Sequence, residues 1–410
     1  MYKYLGRNMN GVFAVEKPSG VSSAQFISKI QTIFTKSPAF QADMIDARNK
    51  RMEDLSTSRW SKDKIKNKVK KLQVKIGHGG TLDPLASGVL IIGVGSGTKK
   101  LQPYLTQCTK VYKTKALLGI STTTGDCEGE IITKNPIDHI TKEMVLETPQ
   151  KFIGNLKQTP PIFSALKVNG KPLYEYAREG IPLPMDKIKV RDVKVNFLEL
   201  NEDNILSTDH EFVKLESQLD ENGVPKEHGL INNPTLNDAQ LFFSEEFMAK
   251  QGDDYQMPRP KPLEEDTLPE KLPMVEFTSS VSSGTYIRSL ISDFGKALES
   301  SAYMVELIRA KQGEWELGKN TFTLEDFEGD STVWGPVLKQ VLDAEPGTVD
   351  VPEALAKQAK VVEEMKLTTE DDGKVEEGKK EDKEDKEEDK EDKEEAEKVV
   401  PQKRKLEESE

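Results

Sequence analysis

The sequence predicts a protein of mixed helices and strands, in which a glycine-rich loop leads into a buried strand. The apolar run Val89–Val94 is continuous and rich in β-branched residues, which is typical of a strand buried on both faces. Residues 110–119 alternate well enough for a second strand. A serine at 22 or 23, followed by apolar residues at 26, 27 and 30, predicts a capped helix.

The remaining elements follow from the same periodicities. Strands are predicted at 12–15, 189–199, 274–277 and 284–288, and helices at 98–105, 141–154, 171–178 and 289–299. Gly154 and Gly180 are expected to end two of these helices, and residues 302–309 form a further element. The proline-broken stretch 158–167 is expected to be extended.

The net charge of −13 is unevenly distributed along the 410 residues. Residues 361–410 hold 22 acidic and 12 basic side chains, and residues 201–272 hold 17 acidic and 6 basic ones. Subtracting the two segments, −10 and −11, from −13 leaves +8 on the other 288 residues. A mildly basic body suits a polyanionic partner.

The same charge pattern divides the chain into a body and appendages. We expect one folded domain over residues 1–360, interrupted by a basic insertion at 37–75 and an acidic insertion at 201–272. The acidic insertion carries six prolines after residue 224 and is expected to be largely irregular, with one short helix near 238–249. Residues 361–410 are a Lys/Glu/Asp-rich tail with almost nothing to bury, and are expected to be disordered.

The basic insertion allows two interpretations. From Arg59 to Lys75 it holds eight basic residues against Asp63, with Trp60 among them. It is either a flexible basic arm that follows a phosphate backbone or a solvated, lysine-rich helix. Its position directly before the glycine-rich loop favours the first interpretation.

The sequence also bears on disulfides, metal sites, membrane spans and cellular location. Cys108 and Cys127 occur without CxxC or HxxxH spacing, so neither a disulfide framework nor a zinc site is expected. No apolar run approaches the roughly 18 residues that span a membrane. The basic cluster 403–405 is compatible with nuclear import, and the first fifteen residues, which hold no acid, with mitochondrial import. A cytoplasmic location is also left open.

The glycine-rich loop, residues 77–90, holds the strongest candidate for chemistry. It contains one carboxylate, Asp83, and one imidazole, His78, among glycines at 77, 79, 80 and 88. No second acid occurs between 77 and 125, which excludes the paired carboxylates of ordinary glycosidases within this stretch. Asp83 before Pro84 also suits a helix N-cap, so from spacing alone a structural and a catalytic role are equally open.

Five segments, in order, resemble the TruB family of tRNA pseudouridine synthases. The loop 77–90 resembles the family's central motif, and the other four are 17–23, Lys110–Tyr112, 163–178 and Gly284–Arg288. The last of these resembles the family's tyrosine-arginine strand. The resemblance covers roughly 11–36, 74–200 and 273–327. It implies an α+β fold with a central, mainly antiparallel sheet, flanking helices and an RNA-binding cleft.

The resemblance also implies a reaction, in which a uridine within RNA is isomerised to pseudouridine. It makes Asp83 the catalytic carboxylate, Arg288 its partner, and Tyr112 the group that stacks on the uracil and helps to remove the C5 proton. The substrate-binding set it implies is Lys17, His78, Gly79, Gly80, Tyr286 and Leu307. Whether the carboxylate attacks the ribose or the base is left open. Neither a metal nor a cofactor is called for, because the substrate supplies both the broken and the formed bond.

The family comparison favours a stand-alone tRNA enzyme. Family members often carry a C-terminal PUA-type RNA-binding domain, whereas here an acidic tail follows the body. We therefore expect a monomer that modifies uridine 55 in the T arm of tRNA. Two alternatives stay open: the catalytic subunit of an RNA-guided rRNA pseudouridine synthase, and a non-catalytic tRNA-binding or tRNA-folding protein.

Overall fold

A ten-stranded mixed sheet forms the centre of the structure, which is a computed structural model. It describes residues 8–184, 187–219, 221, 229–230 and 233–377, the last ten by their backbone alone. The strand order is β14-β1-β3-β12-β4-β11-β10-β7, with β2 paired to β3 and β13 paired to β12. All pairs are antiparallel except β1 with β14 and β12 with β3. The expected α+β fold with a mainly antiparallel central sheet is confirmed.

The described elements have the following bounds. The strands are β1 Gly11–Lys17, β2 Ile76–His78, β3 Ser87–Val94, β4 Lys110–Leu118, β5 Ile120–Thr122, β6 Ile131–Lys134, β7 Gly154–Gln158, β8 Lys167–Val168, β9 Lys171–Pro172, β10 Arg191–Leu200, β11 Met274–Val281, β12 Ala302–Gln312, β13 Trp315–Glu316 and β14 Thr321–Phe322. The helices are α1 Ser23–Lys36, α2 Gln41–Ser56, α3 Lys62–Lys70, α4 Gln102–Thr106, α5 Lys142–Glu147, α6 Leu173–Arg178, α7 Glu245–Met248, α8 Ile287–Ala297, α9 Leu324–Glu328, α10 Ser331–Asp343 and α11 Val351–Glu377. Short 3₁₀ turns cover Pro38–Phe40, Gly95–Lys100, Thr148–Lys151 and Glu202–Asn204.

Helix α1 begins where the sequence predicted, for the reason it suggested. The Ser22 hydroxyl accepts a hydrogen bond from the Gln25 amide, and the Gln25 side chain accepts one from the Ser22 amide. This reciprocal capping box satisfies two helix-end donors. The apolar face of α1 then packs Phe34 against Phe13 of β1 and Trp334 of α10. Burying large aromatic rings on this scale fixes α1 against the sheet.

Three predicted elements are corrected by the structure. Residues 284–288 were expected to form a strand, but β11 ends at Val281, Gly284 turns the chain at φ +86°, and α8 begins at Ile287. The helix predicted over 141–154 ends at Glu147, and Gly154 instead begins β7. The 98–105 helix is split into a 3₁₀ turn and α4. Tertiary pairing decides these boundaries, since local propensity differs little between the alternatives.

The basic insertion is helical, so the expectation of a flexible arm is wrong. Helices α2 and α3 cover most of residues 41–70, and the Ser61 hydroxyl caps α3 by accepting from the Lys64 amide. The alternative interpretation, a lysine-rich helix, describes residues 62–70.

The acidic insertion agrees with the expected irregular segment with a short helix. Within 201–272 the described residues contain α7 and one 3₁₀ turn. The buried ammonium of Lys296 in α8 donates to the carbonyls of Leu236 (2.6 Å) and Ala239 (2.7 Å). An irregular chain can keep a defined position when its backbone carbonyls are held in this way.

The chain divides into two units after Lys360. In the second unit the described residues, 361–377, are helical and belong to α11, whereas the sequence predicted disorder from residue 361 onward. The basic cluster 403–405, the rest of the tail and residues 1–7 lie outside the described residues. Among the described helices, none is long and apolar enough to cross a membrane.

Candidate active site

Asp83 lies in the loop between β2 and β3, and its carboxylate is about one-third exposed. No helix begins there, so the N-cap interpretation is wrong: the Asp83 carbonyl accepts from the Ala86 amide in a turn (3.1 Å). The chain cannot continue as a helix because Ser87 already pairs with Ile308 of β12. The loop therefore presents the carboxylate at the end of a buried strand.

Arg288, in the first turn of α8, is the partner of Asp83. Its Nε donates to Oδ2 of Asp83 over 2.8 Å, and its two terminal nitrogens donate to the carbonyls of Thr124 and Phe163, each over 2.7 Å. The Asp126 Oδ2 lies 3.8 Å from the same Nε. Only 4% of the Arg288 side chain is exposed, and a buried guanidinium needs this set of acceptors to hold its charge. Its orientation is therefore fixed before any substrate enters.

The Asp83 carboxylate borders a cavity of about 420 Å³. Tyr112 of β4 lies on it, as do Tyr286, the N-cap of α8, and Leu307 of β12. Gln158 fixes Tyr286 from both sides, because its side chain accepts from the Tyr286 amide and donates to the Tyr286 carbonyl. The structure thus brings together five of the predicted site residues around one pocket, Gly80, Asp83, Tyr112, Tyr286 and Leu307, with Arg288 behind it.

Cations also line this cavity. Lys110, Lys167, Arg191 and Arg309 contribute to its wall. The Arg191 guanidinium lies over the Tyr286 ring at 5.7 Å, a geometry suited to a cation–π contact. Burial lowers the pKa of Lys110, whose Nζ donates to the Ser283 hydroxyl over 2.8 Å. The wall is positive around a single carboxylate, which suits a nucleotide with its phosphates.

Lys17 does not face this cavity. It is fully buried, and its Nζ donates to the carbonyls of Pro18, Val21 and Pro84 at 2.7, 2.6 and 3.3 Å. Burial lowers its pKa to about 8, although the charge of Asp83 acts in the opposite direction. Lys17 therefore ties the 18–21 turn to the Asp83 loop rather than contacting a phosphate.

His78 and the glycines take positions that the sequence did not indicate. His78 is partly buried in β2 and is not among the described residues that line the cavity, and burial lowers its pKa. A Cβ at Gly79 would lie 2.9 Å from Cβ of Tyr104, and one at Gly88 would lie 2.4 Å from the Arg309 carbonyl oxygen. These two glycines make room for the protein itself, not for a nucleotide. Gly80 does line the cavity.

Comparison with known proteins identifies the fold's family. Residues 62–217 match the family described as TruB family pseudouridylate synthase, N-terminal domain. A protein named tRNA pseudouridine synthase 4 from Saccharomyces cerevisiae is 46% identical over 368 residues, 86% of this chain and 90% of that protein. The chain belongs to the TruB family. It is accordingly a pseudouridine synthase, an isomerase, as the sequence motifs predicted.

Two further similarities accompany this assignment. A Schizosaccharomyces pombe protein, also named tRNA pseudouridine synthase 4, is 36% identical over 345 residues, 77% of this chain and 82% of that protein. Among solved structures, a Cbf5–Nop10–Gar1 complex matches with a TM-score of 0.40 at 20% identity, covering 79% of this chain and 58% of that chain.

Sequence reasoning missed four residues that build this TruB-family site. Asp126 lies in none of the predicted elements, yet it is buried beside Arg288. Arg309 is 1% exposed and donates to the carbonyls of Val89, Thr81 and Gly80. It therefore holds the backbone of the Asp83 loop in place. Gln158 fixes Tyr286, and Ser23 fixes Leu82. The sequence indicated Ser23 only as a candidate helix cap, because both contacts join residues that are distant in sequence.

The described residues contain no cluster of three or more His, Cys, Asp or Glu side chains that could hold a metal ion. What this site offers instead is one carboxylate, a fixed guanidinium and two aromatic rings. These groups can bind a planar base and act on it through a single nucleophile or general base.

Proposed function

We propose that this TruB-family enzyme isomerises uridine 55 in the T loop of tRNA, with Asp83 as the single attacking carboxylate. The coarser statement, that the chain is a tRNA pseudouridine synthase, rests on its identity to the two yeast tRNA enzymes. The observation that carries the chemistry is the Asp83–Arg288 pair at the edge of a cavity that Tyr112 lines.

The substrate base enters this cavity by leaving its own stack. A uridine stacked inside a folded RNA loop cannot reach a carboxylate at the edge of a pocket, so the base must be flipped out into the pocket. Tyr112 and Tyr286 offer aromatic surface for the displaced base, which supplies part of the energy lost on unstacking. Lys110, Lys167 and Arg191 lie at the same wall and are suited to the neighbouring phosphates.

The reaction exchanges one glycosidic bond for another. The bond from N1 to C1′ breaks, the bond from C5 to C1′ forms, the C5 proton leaves and N1 gains a proton, so the atoms balance without a co-reactant. Arg288 holds Oδ2 of Asp83, while Oδ1 accepts no hydrogen bond from the described residues and is free to attack. Tyr112 is placed to stack on the uracil and to help remove the C5 proton.

Attack at either C1′ or the uracil ring would use this same oxygen. Positioning of this kind lowers the activation barrier, because the carboxylate does not have to reorganise when the base binds. The fixed orientation of Arg288 supports a mechanism that uses one carboxylate.

The full-length chain and a tRNA transcript test the proposal without any guide RNA. The unaltered chain should form pseudouridine at position 55, and a transcript with cytidine at 55 serves as the matched control. Asp83→Asn should reduce product formation to background while tRNA binding is retained. Tyr112→Phe, which keeps the ring, should retain binding and lose turnover.

Other outcomes separate the alternatives. Activity that appears only with a guide RNA and partner proteins identifies a guided rRNA enzyme. Normal turnover by Asp83→Asn contradicts the single-carboxylate mechanism. A chain that binds tRNA without making pseudouridine under any condition is a binding or folding protein.

The enzyme is further proposed to act as a monomer, as expected from its resemblance to stand-alone tRNA enzymes. Analytical ultracentrifugation with and without tRNA measures this directly. Nuclear and mitochondrial locations remain proposals from the two terminal sequences, and localisation of variants altered at Lys403–Lys405 tests the nuclear one.

A further inference from the structure

Helices α2 and α3 form a hairpin with a very small apolar interior. Leu55 of α2 packs with Ile65 and Val69 of α3, and these three residues form a separate buried cluster. The spacing of four between Ile65 and Val69 puts both on one face of α3. The remaining faces of this nine-residue helix are therefore available to solvent.

Nearly all of the body's net positive charge lies in residues 59–75, which cover α3 and its two flanks. Residues 59–75 carry eight basic side chains and one acid, a net of +7, whereas the 288 residues outside the acidic insertion and tail carry +8. The rest of the body is thus close to neutral. A concentrated positive field of this kind marks a place where a polyanion binds.

One row of this surface combines charge with an aromatic ring. Lys64, Lys68 and Lys71 follow one another at spacings of four and three, so they project along one side of α3. Trp60, 37% exposed, precedes them, and the ammonium groups of Lys64 and Lys68 lie 4.9 and 4.3 Å from its ring centroid. We call these four residues the tryptophan–lysine row.

The row has no acidic partners of its own. Among the described residues, no carboxylate makes a salt bridge with any of its three lysines. A second row, Lys62, Lys66 and Lys70, lies on the other side of the buried Ile65–Val69 pair. It is equally exposed but carries no aromatic residue, so α3 contains its own comparison surface.

The hairpin is fixed to the element that holds the catalytic loop. The Gln31 side chain of α1 donates to the Val74 carbonyl over 2.8 Å, and the Val74 amide donates to the Thr35 hydroxyl over 3.0 Å. At its other end α1 holds Leu82, the neighbour of Asp83, through Ser23. The exit of α3 and the Asp83 loop are therefore anchored on one helix.

We propose that the tryptophan–lysine row binds the sugar–phosphate backbone of the substrate tRNA, as a docking surface additional to the catalytic cavity. The substrate's identity rests on the proposed function above. Ammonium groups pair with phosphates, and the Trp60 ring offers a face for a ribose or an exposed base. The contact adds affinity without base recognition.

Two other polyanions could in principle meet this surface: an anionic membrane and the chain's own acidic tail. The continuity of the hairpin with α1 and the Asp83 loop favours RNA, because a long RNA held at the cavity continues beyond it. Competition by the tail is an outcome of the experiment below, since it predicts no loss of RNA binding when the row is altered.

The test compares two triple variants of the full chain that each lose three charges from α3. Lys64→Gln with Lys68→Gln and Lys71→Gln alters the row, and Lys62→Gln with Lys66→Gln and Lys70→Gln is the matched control. Glutamine has nearly the helix propensity of lysine, so both helices should persist, and circular dichroism verifies this. Dissociation constants for tRNA are measured at several salt concentrations, together with kcat and KM.

The row variant should raise KM and the dissociation constant by roughly tenfold at ~0.15 M salt and reduce the salt slope by about 2, with kcat unchanged. The control variant should change both by less than about threefold. Trp60→Ala should weaken binding with little change in slope, because it removes a stacking face and no charge.

Equal effects of the two triple variants would show that net charge alone acts, and would overturn the proposal, as would unchanged binding by the row variant. The binding measurement needs no turnover. If tRNA binding depends on the row but no pseudouridine forms at position 55, the proposed function is contradicted and the proposed docking surface is supported.

Discussion

The Ser23 hydroxyl and the backbone of Leu82 exchange two hydrogen bonds: Ser23 Oγ donates to the Leu82 carbonyl over 2.8 Å, and the Leu82 amide donates to Ser23 Oγ over 2.9 Å. Both groups are buried. Since Asp83 is the next residue, this pair sets where the carboxylate lies relative to α1. Lys17 and Arg309 hold carbonyls on either side of it.

Ser23→Ala tests this attachment. It leaves the buried amide and carbonyl of Leu82 without partners, so we expect a loss of about 1–3 kcal/mol in the free energy of unfolding. A displaced Asp83 should also lower kcat more than it raises KM. Urea unfolding and tRNA turnover measure the two effects. Ser28→Ala, an exposed position on α1, should leave both unchanged, and a normal kcat in Ser23→Ala would contradict the positioning role.

Asp126→Asn removes the second carboxylate near Arg288. The Asp126 Oδ2 lies 3.8 Å from Arg288 Nε, so its charge helps to balance the buried guanidinium. We expect kcat to fall by roughly 10- to 100-fold, an effect of about 1.4–2.8 kcal/mol on the barrier, with tRNA affinity retained. Single-turnover kinetics measure the change. Glu128→Gln, an exposed residue on the same loop, is the control, and equal losses in both variants would reject a specific role for Asp126.

Gly88→Ala tests the close approach of β3 and β12. Gly88 has φ +101°, and a Cβ there would lie 2.4 Å from the Arg309 carbonyl oxygen. We expect a loss of about 2–5 kcal/mol in stability from backbone strain together with overpacking. Gly180→Ala, at φ +63° with nothing within 4 Å, carries the strain alone and should cost about 1–2 kcal/mol. Thermal unfolding compares them, and equal losses would exclude the packing contribution.

Asp293 predicts a pH dependence of stability. Burial raises the pKa of Asp293 to about 7, and Lys296, at 3.9 Å, opposes this only in part. The folded state therefore holds this proton more tightly than the unfolded state, where the pKa is about 4. The contribution of Asp293 to stability is full below about pH 4 and is lost as the pH rises to about 7.

Asp293→Asn should remove this slope. Relative to the unaltered chain, the variant should therefore become more stable between pH 4.5 and pH 7.5. Urea titrations should show this as an increase in the difference between the two free energies of unfolding, variant minus unaltered chain. Asp343→Asn, which alters an exposed carboxylate at the end of α10, should leave the slope unchanged. A variant of Asp293 with the parental slope would show that the carboxylate stays ionised in the folded chain.

The elements near the loop were predictable because their signals are local. A continuous apolar run predicts β3, and a serine with a glutamine three residues later predicts the start of α1. Two family motifs contain Asp83 and Tyr112, and the wider resemblance implied Leu307; all three lie on the cavity that the structure shows. Period and capping act within a few residues, which is the range that a sequence reading can follow.

The errors occur where distant segments compete for the same residues. Gly284–Arg288 has strand character, yet α8 forms because β11 ends earlier and Arg288 finds acceptors on the 124 and 163 loops. The family resemblance places Lys17 among the substrate-binding residues, yet three carbonyls from two loops surround it. Neither outcome is visible in local spacing, because each involves a distant partner: Pro84 is 67 residues from Lys17, and Thr124 is 164 residues from Arg288.

The sequence alone determined the family and the reaction class and singled out Asp83 as the proposed catalytic carboxylate, since these depend on residue types within short motifs. Only the tertiary structure decided how the carboxylate is held. Buried charges require acceptors, and Arg288, Arg309 and Lys17 obtain theirs from carbonyls that the sheet and loops bring together. It also decided that α3 is a helix with two lysine rows, because the burial of Ile65 and Val69 against Leu55 fixes which sides face solvent.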